Sequence, residues 1–275
     1  MENQPLVSII ITTKNEEKNI GACLESVKKQ SYPQDKLEII VVDNGSADRT
    51  KEIAGKHTGK VFDKGPERSA QRNFGVAKSQ GDYVIYLDAD MIMSDGVIAD
   101  CIEKISQNDK IIALHISEIV MGERFFSQVR RFERSFYDGT VIDGVRFIKK
   151  SAFLEVGGFD EKLTGPEDWD LDKKLKKIGE IALVSHPIYH NEAEFDLMKY
   201  LSKKGYYGEK FDEYIKKWGK DDPDIKKQFG LSYRFFGVFM ENGKWKKLLA
   251  HPCLAFGMYF LRGMVGFNFL LRKKS

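Results

Sequence analysis

Asp88 and Asp90 end the apolar run YVIYL with one alanine between them. In extended chain, side chains at i and i+2 share a face, so both carboxylates could hold one hard divalent cation and leave positions open for phosphate oxygens. The competing reading is a polar strand end without a ligand. Asp43 closes a second apolar run and suits contact with a base or ribose, while Asp48, before Arg49 and Thr50, reads as a helix N-cap. Arg68 and Arg72, with Asn73, open a helix whose dipole repels them, which calls for a partnering anion or a surface salt bridge. Glu167 and Asp168 follow Gly165 and Pro166, and suit ordinary helix-start chemistry or, approached through Gly157 and Gly158, presentation of a general base. His186 and His190 flank Pro187, Ile188 and Tyr189, where a histidine either completes a cation's coordination or hydrogen-bonds within a turn.

These residues recur after apolar strands, and the spacing predicts the elements that carry them. Val7 to Ile11 and Glu38 to Val42 are β-branched runs, and between them Ile20, Cys23, Leu24 and Val27 recur at helical spacing. A helix from about Asp48, a short strand at Val61 and Phe62, a helix near Ser69 to Ser79 and a strand at Tyr83 to Leu87 follow. Val97 to Ile105 then predicts a helix and Ile111 to Ile119 a strand. Beyond Gly139 the pattern loosens, until a helix near Pro166 places Leu171, Leu175 and Ile178 on its buried side. The alternation predicts an α/β fold with a doubly wound, mainly parallel sheet, in which ligands bind beyond the carboxyl ends of the strands. The predicted division is an α/β domain over 1–198, in halves 1–110 and 111–198, and a helical, basic and aromatic extension over 199–275.

Composition narrows the classes further. The chain has 275 residues, 42% hydrophobic and 31% charged, which excludes a multi-span membrane protein and a low-complexity chain. Its net charge of +3 hides an asymmetry, because Lys199 to Ser275 carries +10 and the preceding residues −7. Such a basic extension suggests an anionic surface or ligand. Cys23, Cys101 and Cys253 are too scattered for a disulfide framework or a zinc site and are expected to be reduced, mostly buried and cytosolic. No basic, cleavable leader precedes the apolar run that begins at Leu6, so no secretory signal is expected. Cys253 to Leu271 is a mostly apolar window with Arg262 at its centre, whose insertion free energy sums to about zero. Arg272, Lys273 and Lys274 beyond it suit an anionic leaflet, and two readings stand: interfacial contact, or core helices closing the domain.

The order of motifs, VSIIITTKNE, EIIVVDNGSADRT, RSAQRNFG, GDYVIYLDAD, VGGFDE with GPEDWDLDKKLKKIG, and IYHNE with KKGYYGEKFDEYIKK, resembles the inverting family-two glycosyltransferases with the GT-A fold. The resemblance spans roughly Leu6 to Lys217. It implies that 1–110 binds a nucleotide sugar and 111–198 an acceptor, with Thr12, Glu16 and Asp43 on the nucleoside, Arg72 near the diphosphate and Asp88 on the ribose or metal side. It implies that Asp90 holds Mn²⁺ or Mg²⁺, with His190 as a further candidate ligand, and that Asp168 of the Glu167–Asp168 pair is the general base. No QxxRW motif follows the GPEDWD helix, so one sugar per encounter is expected. TTKNE stands where dolichol-phosphate sugar synthases commonly carry PTYNE, while IYHNE and KKGYYG look more like enzymes that extend lipid-linked or cell-surface glycans. The expected partners are a nucleotide sugar, a glycan or lipid-linked acceptor and the inner face of the cell membrane, with no nucleic acid. Alternatives are a polyprenyl-phosphate sugar synthase, a nucleotidyltransferase, which TTKNE does not suit, and a non-catalytic sugar-nucleotide or membrane-binding module.

Overall fold

Val7, Ile9 and Ile11 contribute to one hydrophobic core and Ile10 to another, so the first strand is covered on both faces. That two-sided burial is why Ile9, Ile10 and Ile11 follow one another without polar alternation. The computed structural model describes residues 4–192 and 195–272. Its elements run β1 (Val7–Thr13), α1 (Ile20–Lys28), β2 (Leu37–Asp43), α2 (Thr50–Gly55), β3 (Val61–Asp63), α3 (Arg68–Lys78), β4 (Tyr83–Asp88), β5 (Met91–Met93) and α4 (Val97–Ser106). They continue with β6 (Ile111–Val120), α5 (Phe125–Arg134), β7 (Val145–Lys149), α6 (Lys150–Glu155), α7 (Glu167–Leu175) and β8 (Glu180–His190). The helices α8 (Leu197–Gly208), α9 (Phe211–Trp218), α10 (Pro223–Phe229), α11 (Val238–Met240), α12 (Trp245–Ala250) and α13 (Pro252–Arg272) follow.

The eight strands form one sheet in the order β3-β2-β1-β4-β7-β6-β8-β5. β1 pairs in parallel with β2 and β4, and β2 with β3, while β4–β7, β6–β7 and β5–β8 are antiparallel. The α/β class holds, with the parallel order confined to the half that carries the first three acidic strand ends. Residues of α1, α2 and α4 cover one face, and those of α3, α6 and α7 the other. Leu171 and Leu175 are buried as predicted, but Ile178 lies beyond the end of α7 and is exposed.

The chain divides into two compact units, one of Met1–Glu118, Gly144–Lys162 and Glu167–Asn191, the other of Ile119–Asp143, Leu163–Pro166 and Glu192–Ser275. The second unit has its own core, in which Val129, Phe132 and Phe136 meet Val238, Phe239, Met258 and Leu261. The apolar window lies in the single helix α13, and Arg262 at its middle is buried. Its Nε donates to Glu133 Oε1 at 3.0 Å, its other nitrogens donate to the Tyr137 hydroxyl and the Arg234 carbonyl, and its guanidinium lies 4.7 Å from the Phe239 ring centre. Arg262 is thus an internal anchor on the buried side of α13, which leaves Phe256, Phe260 and Phe267 exposed. Among the described residues, no helix is long and apolar enough to cross a membrane. The side chain of Arg272, and Lys273 and Lys274, lie outside the described residues. Cys23 and Cys101 are buried and Cys253 is exposed, all three as free thiols.

Candidate active site

Strand parity decides which carboxylate meets which helix. On β4, Val84 and Tyr86 face the core shared with α3 and α7, so Asp88, two residues on, ends the strand on that side. Register places Thr12 beside Asp88 and Thr13 beside Asp43, which lines the carboxyl ends of β1, β2 and β4 with polar groups. Gln71 of α3 is buried beneath them, and its amide donates to the carbonyls of Thr13 and Val42 at 3.1 and 2.6 Å. It satisfies carbonyls where the parallel strands part.

The arginines that open α3 are held by carboxylates. Arg72 is fully buried, and it donates through Nη2 to Asp88 Oδ1 at 3.0 Å and through Nη1 to Asp168 Oδ1 at 2.9 Å. Its guanidinium lies 4.5 Å from the Tyr86 ring centre. Arg68 donates to Asp88 Oδ2 at 3.3 Å and Glu167 Oε1 at 3.0 Å, and Thr12 Oγ1 donates to Asp88 Oδ1 at 3.0 Å. Burial opposes ionisation of Asp88, but Arg72, Arg68, Arg146 and His190 overcome it and hold the carboxyl well below the usual range.

Asp168 and Glu167 differ although adjacent. Asp168 is 28% exposed, Arg72 occupies its Oδ1, and among the described residues Oδ2 accepts no hydrogen bond. Glu167 is 2% exposed, and burial together with the charge of Asp168 raises its pKa. Asp168 therefore has an oxygen open to a proton from solvent's side, whereas Glu167 is committed to holding Arg68.

Asp90 takes a different partner. The face shared by i and i+2 requires extended backbone, and the chain turns at Ala89 and Asp90. Asp88 consequently bonds arginines, and Asp90 Oδ2 lies 3.2 Å from His190 Nε2. His190 Nδ1 lies 2.9 Å from Glu118 Oε1. Burial disfavours the imidazolium, yet its bonds to Asp90 and Glu118 push the pKa up to about 10, so His190 stands as a cation between two carboxylates. Asp90 Oδ1 is buried with no hydrogen-bond partner among the described residues. His186 is exposed and bonds Asp100 at 3.0 Å, away from this cluster's partners.

The sequence matches the model of the family described as "Glycosyl transferase family 2" over residues 8–159, more than half of the chain. The chain belongs to glycosyl transferase family 2. Relatives include the glycosyltransferase AglE of Haloferax volcanii, 42% identical over 93 residues, which are 31% of this chain and 31% of AglE. The probable glycosyltransferase YdaM of Bacillus subtilis is 28% identical over 206 residues, 65% of this chain and 48% of YdaM. The chain thus spans about a third to a half of the length of these relatives. Among solved structures, the mannosyltransferase PcManGT of Pyrobaculum calidifontis in complex with GDP-Man and Mn²⁺ superposes with a TM-score of 0.60 at 19% identity, covering 98% of this chain and 81% of PcManGT. TarS 1–349 of S. aureus in complex with UDP-GlcNAc gives 0.59 at 19% identity, covering 96% and 89%. These likenesses show the GT-A fold.

In this family-2 chain the remaining predicted residues sit at the end of β2, in the loops after β1 and β2, and on α3. The Asp43 carboxylate is buried and accepts from Ser46 N at 2.7 Å and Ser46 Oγ at 2.5 Å, closing its own loop. Glu16 accepts from Asn19 at 2.7 Å, and Asp48 accepts from Thr50 N and Glu17 N, although the N-cap position of α2 falls to Arg49, one residue later than the sequence predicts. Asn73 exchanges hydrogen bonds of 2.9 and 3.0 Å with the Phe159 main chain, which ties RSAQRNFG to VGGFDE. Gly158 there has φ 64°, a conformation that resists any side chain.

Two positioning residues escaped the sequence reading. Asp172, one turn after Asp168, accepts from Val145 N at 2.8 Å and lies 2.7 Å from His115 Nε2, which pins the start of β7 to α7. Its spacing of four in EDWDLD was the available signal. Gly144 precedes that strand, and a Cβ on it would stand 2.9 Å from Asp168 Cβ. The Gly144→Ala variant is therefore expected to displace Asp168 and lower turnover by about 10²-fold, the scale of a 1 Å misplacement, and a crystal structure with a kcat measurement checks it.

Proposed function

We propose that the chain transfers one sugar from a nucleotide-sugar donor to an acceptor hydroxyl with inversion at the anomeric carbon. The observation that carries this reading is the Asp88–Arg72–Asp168 relay, in which one buried guanidinium joins a strand-end carboxylate to a carboxylate with a free oxygen. Asp168 Oδ2 takes the acceptor's proton as the hydroxyl oxygen forms its bond to the anomeric carbon and the bond to the nucleoside diphosphate breaks. Negative charge then grows on the diphosphate, where Arg68 and Arg72 stabilise it electrostatically. Thr12, Glu16 and Asp43 border the nucleoside position, and Glu167 holds Arg68.

Asp90 fits a divalent cation because its Oδ1 is a buried carboxylate oxygen without a partner, and Mg²⁺ or Mn²⁺ is commonly held by one or two carboxylates plus substrate phosphates. Asp90 would hold it, and His190 Nε2 could join only after losing its proton. Such a cation supplies charge neutralisation on the leaving diphosphate. The PcManGT complex, which holds Mn²⁺ together with GDP-Man, supports this assignment.

The acceptor is a glycan or lipid-linked hydroxyl reached from the inner surface of the cell membrane, a reading supported by the exposed phenylalanines of α13 and the +10 charge after residue 198. The test is sugar transfer from UDP- and GDP-sugars with Mn²⁺. Asp90→Asn is expected to lower kcat/KM by about 10²- to 10⁴-fold, corresponding to several kcal/mol of charge stabilisation. Undiminished wild-type transfer in excess chelator would remove the cation from the scheme. Absence of both transfer and donor hydrolysis would favour a non-catalytic sugar-nucleotide module.

A further inference from the structure

We propose that the second unit contains a receptor for a phosphate group borne on a long apolar chain, built from Lys204, Arg234 and Arg130 around Tyr200 and Tyr137. These residues come from α8, from the segment before α11, and from α5 and its end. Arg130 and Lys204 lie over the same Tyr200 ring at 5.0 and 5.6 Å, and Arg234 and Arg262 over the same Tyr137 ring at 5.9 and 5.8 Å. Four cations thus gather on two rings, and the facing carboxylates are Glu133 and Glu192.

Those carboxylates are already used. Glu133 accepts from Arg130 at 2.6 Å, from Arg262 at 3.0 Å and from the Tyr137 hydroxyl at 2.7 Å, and Glu192 accepts from Arg130 at 3.3 Å. Lys204 Nζ has no hydrogen bond or ion pair among the described residues, and Arg234 Nη1 is buried with no hydrogen-bond partner. A buried guanidinium N–H without an acceptor is costly, and a doubly charged oxyanion would satisfy it and the ammonium together. Burial first, and then the charge of Arg130, push the Lys204 ammonium down to about 7 against the pull of Glu133.

The apolar half of the ligand follows from the same helices. α13, which turns Arg262 inward, exposes Phe256, Phe260 and Phe267 by 76%, 45% and 60%, and α8 exposes Met198 by 75%. Surplus cations and a set of uncovered apolar side chains in the same unit match a phosphate ester with a hydrocarbon tail. The site itself stands apart from the glycosyltransferase reading, and only the choice of the phosphate of a lipid-linked acceptor over bulk phospholipid rests on that reading.

The test titrates inorganic pyrophosphate into the full-length chain in chelator, alongside Lys204→Gln and Arg234→Gln. Loss of one charge-assisted hydrogen bond should weaken binding about 10- to 100-fold in each, Lys204→Arg should retain it, and nucleoside diphosphate binding with Mn²⁺ should stay near wild type. If one Gln variant unfolds, the other carries the same comparison. Pyrophosphate binding that is absent in wild type, or undiminished from wild type in both Gln variants, overturns the site. Flotation with phosphatidylcholine vesicles then identifies the source: retention should be greater with polyprenyl phosphate than with phosphatidylglycerol of equal charge, and lost in Lys204→Gln. Equal retention overturns the acceptor assignment, and retention by neither overturns the apolar half. Failure to bind any nucleoside diphosphate would count against the glycosyltransferase reading and leave the pyrophosphate result standing.

Discussion

Asp168→Asn is expected to lower turnover by about 10³-fold, within the span that positioned general bases contribute, while the donor's dissociation constant stays within a few-fold of wild type. The amide keeps the size of the side chain, and its carbonyl oxygen can still accept from Arg72 Nη1, now 2.9 Å from Oδ1. What disappears is the oxygen able to take the acceptor's proton. The neighbouring Glu167→Gln is the informative contrast, because Glu167 is 2% exposed and its bonded oxygen already accepts from Arg68. It should act mainly through Arg68, weakening donor binding more than it slows transfer. Steady-state kinetics with a donor titration separate the two, and an Asp168→Asn enzyme within tenfold of wild type would sink the base assignment.

The second large effect is on folding as well as activity. Arg72→Met removes the one guanidinium that joins Asp88 to Asp168, and stability should fall by about 3–5 kcal/mol, the usual result of breaking a buried ion pair from one side. Methionine can still pack on Tyr86 and Phe159, whose ring centres lie 4.5 and 5.3 Å from the guanidinium, so the loss reports charge rather than volume. Arg72→Lys should recover little of it, because a compact ammonium lacks the planar fork whose two nitrogens reach Asp88 and Asp168 separately. Urea denaturation of the three forms measures this. Because Asp88 also keeps Arg68 and Thr12, the double variant Asp88→Asn, Arg72→Met should be more stable than the sum of the single changes predicts.

Much of this site was legible in the sequence because parallel strands announce themselves locally. A run such as VSIIITT is buried throughout since both faces are covered, so its three isoleucines follow one another without alternation, and the polar residues at its end mark the edge where the sheet opens. Helical spacing in α1 and α4 and the glycines before Phe159 were similarly local signals. The antiparallel half was harder. β5 and β7 have only three and five residues, and their pairing depends on partners distant in sequence.

By itself, the sequence determined the α/β class, the strand ends that carry Asp43, Asp88 and Asp168's approach, and the charge asymmetry after residue 198, because each rests on neighbours within a turn or a strand. Tertiary structure alone decided who holds whom: Arg72 between Asp88 and Asp168, His190 between Asp90 and Glu118, and Arg262 turned inward onto Glu133. These pairs join residues 16 to 129 positions apart. Their choice of partner is an electrostatic balance set by burial and by the packing of separate elements, and no local pattern encodes it.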